Sequence, residues 1–389
     1  RILYAGRFYH YPLRFGDVLR NFGIRDCLRA GLAYLAAQLR PTRPERSFAD
    51  WVSNRFGGFL YERFFRTYTE KVWGIPCTEL RADWAAQRIQ GLSLPVAVLA
   101  SLGLRRGVRT LTDEFQYPPL GPGMLWERVA ESVAERGGHL HLGCRVVALH
   151  HDGGRVQRVS YAGPGRAPVE VAAAQVLSTM PLGALVEALQ PAAPAQVRAA
   201  AKALRHRDFL LVALRVARAD LFPDNWLYVH DPQYQVGRIQ NVGNWSAAMV
   251  GTPGHSVVVL EYFCSRGDAL WEMADEALGR LARREFAALG LATADEIGAH
   301  HVIRQPDAYP VYDEHYRAHL QVIEDYLGGF SNLQTAGRSG LHRYNNQDHS
   351  MVSAIEAVRA LAGNTTASPW AVNLERSYHE EQRLSATPA

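Results

Sequence analysis

The chain has 389 residues, 48% hydrophobic and 21% charged, an ordinary globular composition that excludes disordered and collagen-like classes. Its 42 basic residues against 38 acidic leave a net charge of +4, and the densest basic run, LRRGVR at 104–109, is too short for a nucleic-acid surface, so no nucleic-acid partner is expected. Four cysteines, none in C-x-x-C spacing, exclude a disulfide scaffold and a structural zinc site and point to a reducing, cytoplasmic compartment.

The opening phrase RILYAGRFYHYPL is strand-like and starts without a methionine, as though entered mid-protein. Residues 15–39 carry apolar side chains at helical spacing, broken near Gly23 and ended by Pro41 and Pro44. Residues 47–72 repeat that spacing with Phe48, Trp51, Phe56, Phe64 and Tyr68, and residues 81–92 form a further short helix. The apolar run 92–104, interrupted by Pro95, is too short to span a bilayer and reads as buried or channel-lining. No signal peptide is visible.

A helix follows at 124–136, then strands at 139–142, 145–151 and 155–161, the last two joined by the hairpin signal Asp152-Gly153-Gly154. Residues 169–179 end as a strand at Met180-Pro181. Helices at 182–189 and 194–204 precede strands at 209–216, 226–230, 236–241 and 256–262. A helix at 269–289, a strand at 299–304, a helix at 312–327 and a short strand at 333–336 complete the pattern. No internal repeat is present. The class is α/β or α+β, in two interleaved domains.

Three stretches concentrate unusual residues. GLHRYNNQDHSM (340–351) sets a polar knot against VSAIEAVRALAG, whose sparse polar positions predict a mostly buried helix starting at Met351. Its N-terminal N–H groups would accept an anionic or electron-rich group, with Gly337 and Gly340 allowing close approach and Ser350 as cap; a well-capped core helix explains the same pattern. FFRTYTEKVWG (64–74) groups Tyr68, Lys71 and Trp73 around a planar ligand, or forms an aromatic core under a helix end. YPPLGPGM (117–124) uses Gly121 and Gly123 in a tight turn before a helix, near a cofactor or as a plain helix entry. No H-E-x-x-H, G-x-S-x-G, P-loop or G-x-G-x-x-G occurs, and no metal is expected.

Taken in order with AYPVYDEHY (308–316), these motifs resemble the FAD-dependent amine oxidase and protoporphyrinogen oxidase superfamily, particularly its UDP-galactopyranose mutase-like branch. The resemblance implies a two-domain flavoprotein whose N-terminal Rossmann βαβ is missing. The domains it implies are a mainly helical substrate or cap region (1–120), an FAD-binding part (121–190), a substrate-domain mixed sheet (191–328), a C-terminal FAD-binding strand and helix (329–363) and a tail (364–389). It implies FAD contacts at Val146, Thr179, Met180, Gly337, Arg338, Asn346, Gln347, the N–H of Met351, Gly121 and Gly123. Substrate contacts are implied at Arg338, Tyr344, Tyr309, Trp73 and Tyr68.

The implied activity is that of a flavin-dependent oxidoreductase passing hydride from a small-molecule substrate to flavin N5, with no catalytic base assigned. The alternative is a redox-neutral mutase acting on a nucleotide sugar with reduced flavin. A third reading is a non-catalytic fragment. LPVAVLASLGLRRGVRTL stands where the mutases carry an arginine- and tyrosine-rich phrase, a departure from the sugar-nucleotide pattern.

Overall fold

The computed structural model describes residues 1–10, 15–82, 84, 115–364 and 366–373. The apolar run 92–104, the basic run 104–109, the helix expected at 81–92 beyond Trp84, and the tail beyond residue 373 lie outside them. The chain divides into two compact units, the first comprising 1–140 and 207–308, the second 141–206 and 309–389.

The first stretch of unit 1 opens with a hairpin, β1 (Ile2–Tyr4) and β2 (Arg7–Tyr9). Helix α1 (Phe15–Leu39) is interrupted at Gly23, whose φ of 77° only glycine adopts readily. The second periodic stretch is several pieces: α2 (Phe48–Phe56), a π-helical turn Tyr61–Arg66, and α3 (Thr67–Trp73). Gly57, at φ 83°, ends α2 because it lies flush on α1, where a methyl would come within 2.6 Å of the Tyr34 nitrogen. Helix α4 (Gly123–Glu135) closes this stretch. The strand expected at 139–142 is absent. Leu140 and Leu142 are exposed there, and no neighbouring strand among the described residues supplies a ladder.

Unit 2 then begins with β3 (Arg145–His151) and β4 (Val156–Ala162), the expected hairpin. Asp152 Oδ1 accepts from the Gly154 and Arg155 nitrogens at 3.2 and 2.9 Å and sets its turn. Strand β5 (Val169–Ala172) pairs with β4 and β7 (Leu189–Gln190) runs parallel to β3, which gives the order β5-β4-β3-β7. Strand β6 (Val176–Ser178) leads into α5 (Leu182–Ala188), and α6 (Ala195–Ala203) follows.

The chain returns to unit 1 with β8 (His206–Val216), β9 (Trp226–Val229), β10 (Arg238–Asn241), β11 (Ser256–Cys264), helix α7 (Asp275–Ala288) and β12 (Ile297–Pro310). With the N-terminal hairpin they make a seven-stranded sheet, β12-β8-β11-β10-β9-β1-β2. Alternate residues face α7: Leu210, Val212, Leu227, Val229, Ile239, Val258 and Leu260 pack with Leu278, Leu281 and Phe286 of the helix. Each such side chain, fully buried, contributes about 1.5–3 kcal/mol.

The last stretch of unit 2 holds α8 (Tyr316–Leu327), β13 (Leu333–Thr335) and α9 (Gln347–Leu361). Strands β13 and β6 pair in parallel. Asn332, fully buried, ties this pair to the hairpin by donating to the Val156 and Ala174 carbonyls and accepting from the Val156 nitrogen.

Two expectations about α9 need correction. It begins at Gln347, one turn before Met351, because Asn346 forms a capping box with His349. Ser350 is therefore not the cap. It lies inside the helix, its hydroxyl donating to the Asn346 carbonyl at 2.9 Å. Nor is the helix mostly buried: Met351, Val352, Ile355 and Val358 are exposed, and only His349, Ser353 and Ala357 reach the interior.

Candidate functional site

The motif residues of unit 2 converge where β6 and β13 end. Ser178 and Thr335 are register partners on the two parallel strands. Beyond them the chain turns at Gly337, with φ 82°, into a short helical turn, Gly337–Gly340. Gly340 sits against the other strand end, where a methyl would come within 2.9 Å of the Ser178 carbonyl oxygen and 3.3 Å of Thr179 Cα. Since the obstruction is backbone, Gly340→Ala is expected to destabilise unit 2 by about 1–3 kcal/mol, read as a lower urea midpoint, although alanine suits the local φ.

The loop from Gly337 to Asn346 is held from within. Gly337 N donates to Ser353 Oγ at 2.9 Å, buried Asn345 Nδ2 donates to the Gly337 carbonyl at 3.3 Å, and Arg338 Nε donates to the Asn345 carbonyl at 2.9 Å. Tyr344 N donates to the Tyr312 hydroxyl at 2.8 Å. The rings of Tyr309 and Tyr344 lie nearly parallel, centroids 5.6 Å apart. The Arg338 guanidinium lies over both, 5.1 and 4.9 Å from their centroids. This arrangement brings together three residues expected to bind substrate. A planar cation held on aromatic faces with its Nε fixed is pre-oriented to bind a planar or tetrahedral anion.

The remaining expected contacts of unit 2 distribute as follows. Thr179 is exposed and Met180 half-buried just past β6, and Val146 lies on β3 opposite Tyr161. Asn346 and Gln347 form the entry of α9. The Met351 amide lies within the helix, a turn past its capped start at Asn346 and Gln347.

In unit 1 the sheet face opposite the α7 core is half-buried and rich in aromatics. Strand register sets Arg238 opposite both Tyr228 and Glu261, and Gln240 opposite Trp226. Arg238 pairs with Glu261, whose side chain is 2% exposed, and Gln240 donates to the same carboxylate. The guanidinium also lies 4.8 Å from the Phe263 ring centroid and 5.0 Å from that of Trp226. Burial pushes the Glu261 carboxyl above its ordinary range, while Arg238 and Gln240 oppose that shift. Sequence reading missed this pair. The signal was present: SVVVLEYFC carries one carboxylate in the middle of a nine-residue apolar strand, which demands a partner.

Tyr68 stands at the same face, edge-on to Tyr228 and stacked on His230 at 4.4 Å. Lys71 is committed to structure: its Nζ donates to the carbonyls of Val229, Asp231 and Val236 at 3.1–3.2 Å. Burial pulls it down to about 8 despite the nearby Glu285 and Asp231 carboxylates. Trp73 is interior, 1% exposed and edge-on to Trp84, so its ring packs the core and does not line an accessible surface. Gly121, buried with φ 88°, turns beside Met249 and the Tyr117 hydroxyl, and Gly123 opens α4.

Two histidines are buried neutral. His230 in unit 1 and His342 in unit 2 are both pushed down to about 3, chiefly by burial and secondarily by Lys71 and His206 respectively. Unfolded, each titrates near 6.5, so the unfolded chain holds more protons between about pH 6.5 and 3, and stability falls as pH drops through that window. Each histidine is expected to contribute a slope of about 1.4 kcal/mol per pH unit there. Urea midpoints of His230→Phe and His342→Asn, compared with the parent from pH 6 to 4, should each show the correspondingly shallower decline in their own unit. Asparagine suits position 342 because His342 has φ 45°.

Among the described residues no group of three or more His, Cys, Asp or Glu side chains is placed to hold a metal, and no helix is long and apolar enough to cross a membrane.

Comparison with known proteins returns one family model, that of the flavin containing amine oxidoreductases, matching residues 5–361. Among solved structures, the fold is similar to that of a reduced UDP-galactopyranose mutase, with a TM-score of 0.77 at 19% identity, covering 90% of this chain and 74% of the other. It is also similar to a protein assigned as a protoporphyrinogen oxidase from Exiguobacterium sp. 255-15, with a TM-score of 0.59 at 19% identity over 82% and 68% of the two chains. A cyclohexylamine oxidase from Brevibacterium oxydans IH-35A gives a TM-score of 0.53 at 13% identity over 88% and 75%.

Proposed function

The chain belongs to the flavin containing amine oxidoreductase family, and from that membership we propose that it is a FAD-dependent oxidoreductase acting on a small-molecule substrate that carries an anionic group. The family match over residues 5–361 is the observation that carries this reading. The residues of unit 2 fit such a cofactor. The buried hydroxyls Ser178 Oγ and Thr335 Oγ1 have no hydrogen-bond partner among the described residues, and they stand at the ends of parallel strands, where ligands of α/β sheets bind. Gly340 keeps the chain close to that edge, and the entry of α9 follows with the partial positive charge of a helix N-terminus.

When bound, FAD supplies the hydride acceptor, and the protein supplies orientation and electrostatics. Ser178, Thr335, Thr179, Met180, Gly337, Asn346 and Gln347 are the residues we assign to hold it, with Val146 on the neighbouring hairpin. Arg338 is assigned to the substrate's anionic group, with Tyr309 and Tyr344 fixing its plane. Taken by itself, unit 1 offers Tyr68, with Tyr228 and His230, as an aromatic surface for a planar ring.

A second reading, a redox-neutral isomerase of nucleotide sugars, is favoured by one feature: an arginine laid over two parallel tyrosines suits a diphosphate. Titration of FAD into the purified full chain, followed by quenching of flavin fluorescence, tests the common premise; an unquenched titration overturns both readings. Anaerobic bleaching of the bound flavin by a panel of amines then supports the oxidoreductase. Conversion of UDP-galactopyranose to its furanose form by the dithionite-reduced protein, without bleaching, replaces it with the isomerase.

A further inference from the structure

Helix α1 carries a face that neither proposed activity uses. Its small-residue side is anchored: Ala30 is buried and Gly57 lies flush on the backbone at Ala33 and Tyr34. On the other side Ile24, Leu28, Leu32, Leu35 and Leu39 are 76%, 63%, 66%, 57% and 82% exposed. At 100° per residue these five aliphatics fall within an arc of about 80°. Arg25, Arg29 and Arg40 follow along one border of that arc, and exposed Arg43 and Arg46 continue it past the helix end.

The nearby acids do not offset these charges. Asp26 is engaged by Arg29 and Arg63, and Glu45 by Arg55 and Asn54. Arg25, Arg40, Arg43 and Arg46 make no ion pair among the described residues.

We propose that this face docks on the anionic surface of a lipid bilayer, with α1 lying in the plane of the interface. A narrow aliphatic stripe bordered by arginine is the design of a helix that seats its apolar side at the headgroup boundary. From Ile24 to Leu39 the helix measures about 24 Å, so it lies on the membrane and does not span it. The spacing of Leu28, Leu32, Leu35 and Leu39 also matches a coiled-coil seam. In an antiparallel pair of identical helices, however, this border would bring arginine to arginine, and in a parallel pair it would face the Gly31 and Gln38 side; neither pairing offers it a carboxylate. Charge complementarity therefore selects an anionic partner over a second copy.

Co-sedimentation of the full chain with vesicles tests this. Binding is expected to vesicles of phosphatidylcholine and phosphatidylglycerol at about two to one, at least tenfold above binding to phosphatidylcholine alone, and reduced at ~0.5 M salt. R25E/R40E/R43E should lower the partition coefficient by about tenfold or more. L28Q/L32Q/L35Q should abolish binding without moving the thermal midpoint, since all three positions are exposed. No binding to the anionic vesicles, equal binding to both compositions, or undiminished binding of the leucine variant would overturn the proposal. A dimer in sedimentation velocity that the leucine variant dissociates would also overturn it, by assigning the face to a second copy.

Discussion

Glu261→Ala is expected to destabilise unit 1 by about 3–5 kcal/mol, because it leaves the Arg238 guanidinium half-buried without its carboxylate. The pair sits in mid-sheet, Arg238 against Phe263 and Trp226 and Glu261 beneath it with Gln240 as a second donor. Desolvation on this scale is compensated only while both charges are present. The double variant Arg238→Met/Glu261→Leu, which removes both, should recover most of the loss and fold with a urea midpoint near that of the parent. Arg238→Met alone should be nearly as damaging as Glu261→Ala. A Glu261→Ala chain as stable as the parent would show that the carboxylate is not paired as described. The double variant also separates stability from function: if the sheet face contacts substrate, it should fold normally and lose activity.

Arg338→Ala should raise the dissociation constant of an anionic ligand by roughly thirtyfold to several thousandfold, the effect of removing one member of a hydrogen-bonded charge pair. UDP is a suitable probe because it presents a diphosphate. Arg338→Lys should restore only part of the affinity, since an ammonium has no planar fork and stacks poorly on Tyr309 and Tyr344. Tyr344→Phe tests the support: it keeps the ring under Arg338 and is expected to weaken UDP binding much less than Arg338→Ala does. Equal affinity of parent and Arg338→Ala for UDP would remove this arginine from the anion site. A parent that does not bind UDP at all would remove the nucleotide-sugar reading and leave the oxidoreductase intact.

Local signals were legible wherever a short stretch of chain decides its own conformation. The break in α1 at Gly23 and the hairpin at Asp152-Gly153-Gly154 follow from turn chemistry that depends on no distant neighbour. The alternation along β8 to β11 follows from period-two burial against one helix. Grouping Arg338, Tyr309 and Tyr344 rested on resemblance and not on spacing, because Arg338 lies 29 positions beyond Tyr309. Their ring and guanidinium distances exist only once β12, α8 and β13 have folded.

Composition determined a globular chain, and its turn and periodic signals determined the mixed α/β class and most of the elements. Tertiary structure alone decided which faces of those elements are covered. Trp73 and the residues of α9 show the difference. Both read as aromatic or apolar sequence, yet Trp73 is interior while Met351, Ile355 and Val358 are exposed. Periodicity reports that a side chain is apolar. Whether another surface covers it depends on contacts between residues far apart in the chain, and no local pattern encodes those contacts.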